Sequence, residues 1–147
     1  MREIERTRKS GHHLSTVFLI GGTAELILRE LADDERTGSE KLIAKLQKLN
    51  VINSVQAELF DEIRERRNKY LHVNANKILS DNQYFYVDKD GLLDNINEIA
   101  LSDYTEENLR KTLTLHIRND AHRMMDVFRQ LVHLLTTQLD EASLSEA

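Results

Sequence analysis

The stretch LRKTLTLHIRNDAHRMMDVFRQLVHLLTTQL, residues 109–139, decides the fold class. Leu109, Leu113, Ile117, Ala121, Met124, Phe128, Leu131, Leu135 and Leu139 recur at steps of three and four, the period that gathers side chains on one face of a helix. One long C-terminal helix is predicted. Asp103, with Glu106 three residues on, suits a capping box with Asp in the Ser/Thr role, and no Gly or Pro interrupts the run to Glu141. At 1.5 Å per residue such a helix is roughly 50 Å long, more than a domain of this size needs, so part of it is expected to pack against a second copy. Met124 and Met125 read as core filling. The closing EASLSEA has no stripe and is expected to fray.

Working back towards the N-terminus, Val17, Ile20, Ala24, Ile27, Leu28 and Leu31 share one face and predict a helix from His13 to Leu31. Gly21 and Gly22 follow no strand and lack the spacing of a nucleotide loop, so close helix packing is their expected role. Asp33, Asp34 and Gly38 break the pattern. Ser39 then reads as the N-cap of a short helix carrying Leu42, Ile43, Leu46 and Leu49. Ile52, Val55, Leu59, Ile63 and Tyr70 predict a further helix that ends in DEIRERRNKYLH. Periodicity fades over 74–102, where YFYVDKDGLL reads as either a small β-hairpin near 84–93 or an ordered loop. The sum is an all-α antiparallel bundle of four to five helices, a single domain over 1–147.

Composition agrees and excludes several classes. With no Pro, five Gly and only 5% aromatic residues, an all-β sandwich is disfavoured. The absence of Cys removes disulfides, thiolate catalysis, Fe–S clusters and Cys-based zinc sites, and fits a reducing compartment; a cytoplasmic location is expected. The net charge of -5 gives no general attraction to nucleic acid, so any such binding must be local. The longest purely apolar run, Val17 to Ile20, is far too short to span a bilayer, so no membrane association is expected. Arg2, Arg6, Arg8 and Lys9 before LSTVFLIGGTA imitate a signal peptide, but Glu3 and Glu5 dilute the charge and Gly21-Gly22 break the apolar run, so no leader is expected.

The chemistry concentrates at the end of the helix through Ile63. With its apolar stripe at zero and 100° per residue, Arg66 and Arg67 fall at about -40° and +60°, so neither faces squarely into solvent. A guanidinium keeps its charge and needs a carboxylate or an anionic ligand when it is partly buried. Asp61, Glu62 and Glu65 are the nearby carboxylates that could satisfy it, as in an ordinary charged helical face. His72 lies about 140° from Arg67 around a continuous helix, so the two share a site only if the helix ends or bends near Tyr70 to Leu71, or if two subunits meet there. VNAN beyond His72 suits a helix end.

The segment Arg67-Asn68-Lys69-Tyr70-Leu71-His72 resembles the signature of HEPN domains: an Arg, a polar residue, then a His after four to six intervening positions. The resemblance implies a helical bundle that dimerises with two signatures facing each other. Many such proteins are metal-independent endoribonucleases acting as toxins or in antiviral defence, others are non-catalytic. By motif position Arg67, Asn68 and His72 carry over as catalytic residues, with no cofactor and no metal. Arg66 and Lys69 add local positive charge as RNA-binding residues. RNA as substrate, a homodimer and an antitoxin protein are the implied partners. HEPN toxins that pair with a nucleotidyltransferase antitoxin often carry a Tyr two residues after the His, and this chain has Asn74 there.

Two other readings stand beside this one. A non-catalytic HEPN-like dimer would use the same cleft to hold a nucleotide, a nucleic acid or a regulatory protein, and an unrelated helical interaction domain would merely pair Arg67 and His72 with neighbouring carboxylates. Arg118-Asn119-Asp120-Ala121-His122 echoes the signature one residue short and is read as the solvated flank of the C-terminal helix. His12, His13, His116, His122 and His133 lack ligand spacing, so no metal site is indicated.

Overall fold

The computed structural model describes residues 1–71, 86–87, 93–94 and 106–145, with side chains over 1–71 and 113–140. Its helices are α1 (Arg2–Lys9), α2 (His13–Ala32), α3 (Ser39–Lys48), α4 (Ser54–Leu71) and α5 (Glu106–Ser145). The chain is an all-α helical bundle. A two-residue antiparallel pair, β1 (Tyr86–Val87) with β2 (Leu93–Asp94), lies in the stretch that reads as a small hairpin or an ordered loop.

Three long helices set the frame. Ala24 and Leu28 of α2 share a contact region with Ile63 and Phe60 of α4, while Gln56 and Tyr70 of α4 reach Gln138 and Asp120 of α5. Rising numbers on α4 therefore meet falling numbers on both neighbours, so α4 runs antiparallel to α2 and to α5. The core between them holds Ile20, Leu28, Phe60, Ile63, Met124, Met125, Phe128 and Leu131, all under 3% exposed. Both methionines fill it as their spacing suggests. Burial of such side chains stabilises by about 1.5–3 kcal/mol each against leaving them in water.

The connections are built by short polar side chains. Asp33 closes α2 in the left-handed region at φ 47°, a conformation Asp tolerates better than most residues. The next carboxylate, Asp34, accepts backbone N–H bonds from Arg36 and Thr37, both at 3.0 Å, and the Thr37 hydroxyl at 2.8 Å. These bonds, led by that hydroxyl, pull its pKa down to about 2. At α4 the Asn53 carboxamide accepts from Gln56 N–H at 2.9 Å while the Gln56 side chain accepts from Asn53 N–H at 2.8 Å, a reciprocal cap. The buried Gln56 then donates to Gln138, and Gln138 donates to the Val51 carbonyl, which fixes α4 to α5.

Several sequence expectations shift. α1 was not foreseen, because REIERTRK offers one apolar anchor, Ile4, too few for a periodic signal. Ser39 is the first helical residue of α3, and Gly38 in an extended conformation holds the cap position. Val55 is exposed on α4, whose buried face instead includes Gln56, Ala57 and Phe60. α5 continues past Glu141 to Ser145. Asp103, offered as its cap, lies outside the described residues.

Candidate active site

The last turns of α4 carry Arg66 and Arg67 to opposite neighbours, as their positions astride the apolar stripe require. Arg67 goes to α2. Its stem crosses Gly21 so closely that a Cβ added there would lie 2.3 Å from Arg67 Cδ and 3.0 Å from Arg67 Cβ. Gly21 thus has the packing role expected of it, whereas the space beside Gly22 is open. Beyond the crossing, Arg67 Nη1 donates to Glu25 Oε2 at 2.5 Å, and Arg29 Nη2 donates to the other oxygen at 2.6 Å. The two guanidinium hydrogen bonds, Arg67 first, hold the Glu25 carboxyl below its ordinary range.

One carboxylate between two guanidiniums leaves the group with a net positive charge. Arg67 Nε is buried and has no partner. The guanidinium borders a cavity of about 430 Å³ whose wall also includes Ser39, Lys41, Arg64 and Asn68, with Glu25 and Glu40 as its acidic members. A volume of that order fits a small polar ligand. Arg64 is held at 2.7 Å by Asp61, one turn earlier on the same helix.

Arg66 goes to α5. It pairs with Glu62 at 2.9 Å and with Asp120, whose second oxygen accepts the Tyr70 hydroxyl at 2.6 Å. Arg123 closes the network on Glu62 at 2.8 Å. Burial, with the Asp120 bond next, drives the Tyr70 pKa upward, so the phenol stays a neutral donor. Glu62 is one of the carboxylates anticipated for this helix. Asp120 corrects the reading of 118–122 as a solvated flank: its side chain is 13% exposed and joins α5 to α4. Its neighbours Arg118 and Arg123 are exposed, and no local spacing rule distinguishes Asp120 from them.

Of the residues implied by the HEPN resemblance, Arg67 and Asn68 share the cavity wall, Arg66 is engaged by two carboxylates, and Lys69 is half-buried on the same turn. α4 is described as far as Leu71. His72 and Asn74 lie outside the described residues. Glu25 and Gly21 were not picked out as site residues, because the signature is local and they stand more than forty positions upstream, 42 in the case of Glu25. No three His, Asp or Glu among the described residues are placed to hold a metal ion. Among the described residues no helix is long and apolar enough to cross a membrane. Compared with family models, curated proteins and solved structures, the chain matches none.

Proposed function

We propose that this chain is a HEPN-like, metal-independent endoribonuclease that acts as a homodimer in the cytoplasm, in the manner of a toxin or an antiviral effector restrained by an antitoxin protein. The observation that carries the reading is Arg67: a guanidinium fixed by Gly21 and Glu25, left with net positive charge, at the wall of a polar cavity it shares with Asn68. Cleavage of RNA by its own 2′-hydroxyl needs a base, an acid and a cation. One His72 imidazole takes the proton of the 2′-hydroxyl as the O2′–P bond forms, and the second copy's protonated imidazole returns a proton to the leaving 5′-oxygen as the P–O5′ bond breaks. Arg67 stabilises the charge on the phosphorane between these events, and Asn68 orients the phosphate. A single copy has one such imidazole and cannot hold both protonation states at once, which is the chemical reason for a dimer.

Purified protein is expected to cut labelled RNA in EDTA, leaving a 2′,3′-cyclic phosphate, and His72→Ala and Arg67→Ala are each expected to abolish the cut. Cleavage that survives both substitutions, or a monomer at high concentration by light scattering, would overturn the assignment. Glu25 already occupies Nη1 of Arg67, which favours a second reading in which the cavity binds a nucleotide or RNA without cleaving it. RNA binding with no product, with or without divalent metal, selects that reading.

A further inference from the structure

Where α1 ends and α2 begins, basic side chains gather against α5, and Glu5, the carboxylate that feels Arg8, is bonded to Arg129. The His13 ring meets His122 edge to face with centroids 5.8 Å apart. Arg118, Arg8 and His12 complete the charged surroundings, and after burial these cations hold His13 below its ordinary pKa. Two nitrogens in the corner, the Arg8 Nε donor and His13 Nδ1, are buried and unpartnered. An unpaired buried donor costs about 1–3 kcal/mol, so it is kept where something else satisfies it. The acids nearest in sequence are committed elsewhere: Glu5 binds Arg129 at 2.6 Å, and Asp120 turns to Arg66 and Tyr70 on the opposite flank of α5. His12 caps α2 with no side-chain bond, so the positive end of that helix points into the same corner.

A net charge of -5 makes this concentration of basic side chains a local feature of one corner and not a property of the whole surface. Arg118 and His12 are exposed while Arg8, His13 and His122 are half-buried, an open shelf and not an enclosed pocket. An open shelf suits a chain of phosphates better than one trapped anion.

We propose that Arg8, His13, Arg118 and His122 form a subsite that grips the phosphodiester backbone of single-stranded RNA. The identity of the anion as RNA rests on the ribonuclease reading; the existence of an anion shelf does not. The test is binding of labelled single-stranded RNA to the full chain carrying His72→Ala, followed by fluorescence anisotropy over a range of salt. Arg8→Ala with Arg118→Ala is expected to weaken binding about tenfold at low salt and to flatten the slope of log K against log salt by about 1.4, two phosphate contacts at about 0.7 each. A control that removes two charges elsewhere, Arg36→Ala with Lys48→Ala, is expected to stay within about twofold of the parent. Circular dichroism confirms that each variant is folded.

Affinity and slope unchanged in the Arg8/Arg118 variant overturn the proposal, as does inorganic phosphate binding that is lost in it while RNA binding is kept, since the shelf would then serve a free anion. If the RNA-binding loss is seen but the unmodified chain never cleaves, the shelf stands and the ribonuclease reading falls. If the chain cleaves RNA with affinity indifferent to these residues, the reverse holds. No RNA binding by the parent removes both.

Discussion

At the end of α4, Arg66 reaches Glu62 and Asp120 and Arg67 reaches Glu25, whereas at the corner of α1, α2 and α5 the basic groups Arg8, His13, Arg118 and His122 lie near one another, and Glu5, whose carboxyl feels Arg8, is bonded to Arg129 instead. The same residue types do different work in the two places. A partly buried cation with a carboxylate ties helices together, and its removal leaves the partner charge stranded. A cation without one contributes little to the fold and stays available to a ligand. The α4 region mixes the two, because Glu25 is shared by Arg67 and Arg29 and neutralises only one of them.

The largest expected effect breaks the paired side of this contrast. Asp120→Ala leaves the Tyr70 hydroxyl without its acceptor and the Arg66 guanidinium with Glu62 alone, and it should lower stability by about 1–3 kcal/mol, read as a urea midpoint shift with unchanged m-value. A loss under about 0.5 kcal/mol would make the network an ordinary surface one.

Next comes the crossing of α2 and α4. Gly21→Ala puts a methyl against the fixed root of Arg67, and overpacking of about 1–3 kcal/mol exceeds the roughly 1 kcal/mol that Ala gains over Gly in a helix. A net loss of up to about 2 kcal/mol is therefore expected, with Arg67 displaced and RNA cleavage reduced. Gly22→Ala, one position on, meets open space and should stabilise by up to about 1 kcal/mol. Equal effects at the two glycines in thermal melts would show that the close approach does not constrain the chain.

The smallest effect probes the unpaired corner. Burial, then the basic groups His122, Arg118, Arg8 and His12, lowers the His13 pKa in the folded state, so the unfolded chain binds more protons there. The stability His13 contributes is present above its unfolded value near 6.5 and fades as pH falls through that value. Urea midpoints between pH 7.5 and 5.5 should therefore decline less in His13→Asn than in the parent, and identical slopes would count against a desolvated, cation-facing imidazole.

The contrast also explains what the sequence made legible. The long C-terminal stripe, the helix from His13 and the packing role of Gly21 follow from local periodicity, which survives into the fold because the same face stays buried over several turns. The i, i+4 partner of Arg66, Glu62, is visible for the same reason. Glu25 and Asp120 are not, lying 42 and 54 residues from the arginines they bind. Their roles depend on which helices pack side by side, and no short window contains that information. The cluster at His13 was hidden similarly: its members come from three separate elements, and each looked like a lone surface base.

The full burial of α5 side chains is confined to Ala121–Leu131 among the described residues, while the helix itself is 40 residues long. Its burial is deepest near its middle, where the bundle clamps it. At 1.5 Å per residue the helix axis runs about 22 Å from Ala121 back to the tip at Glu106. Tilting the clamp by about 10° would sweep that tip through roughly 4 Å, so a minor adjustment of interhelical angle is magnified by leverage at the far end.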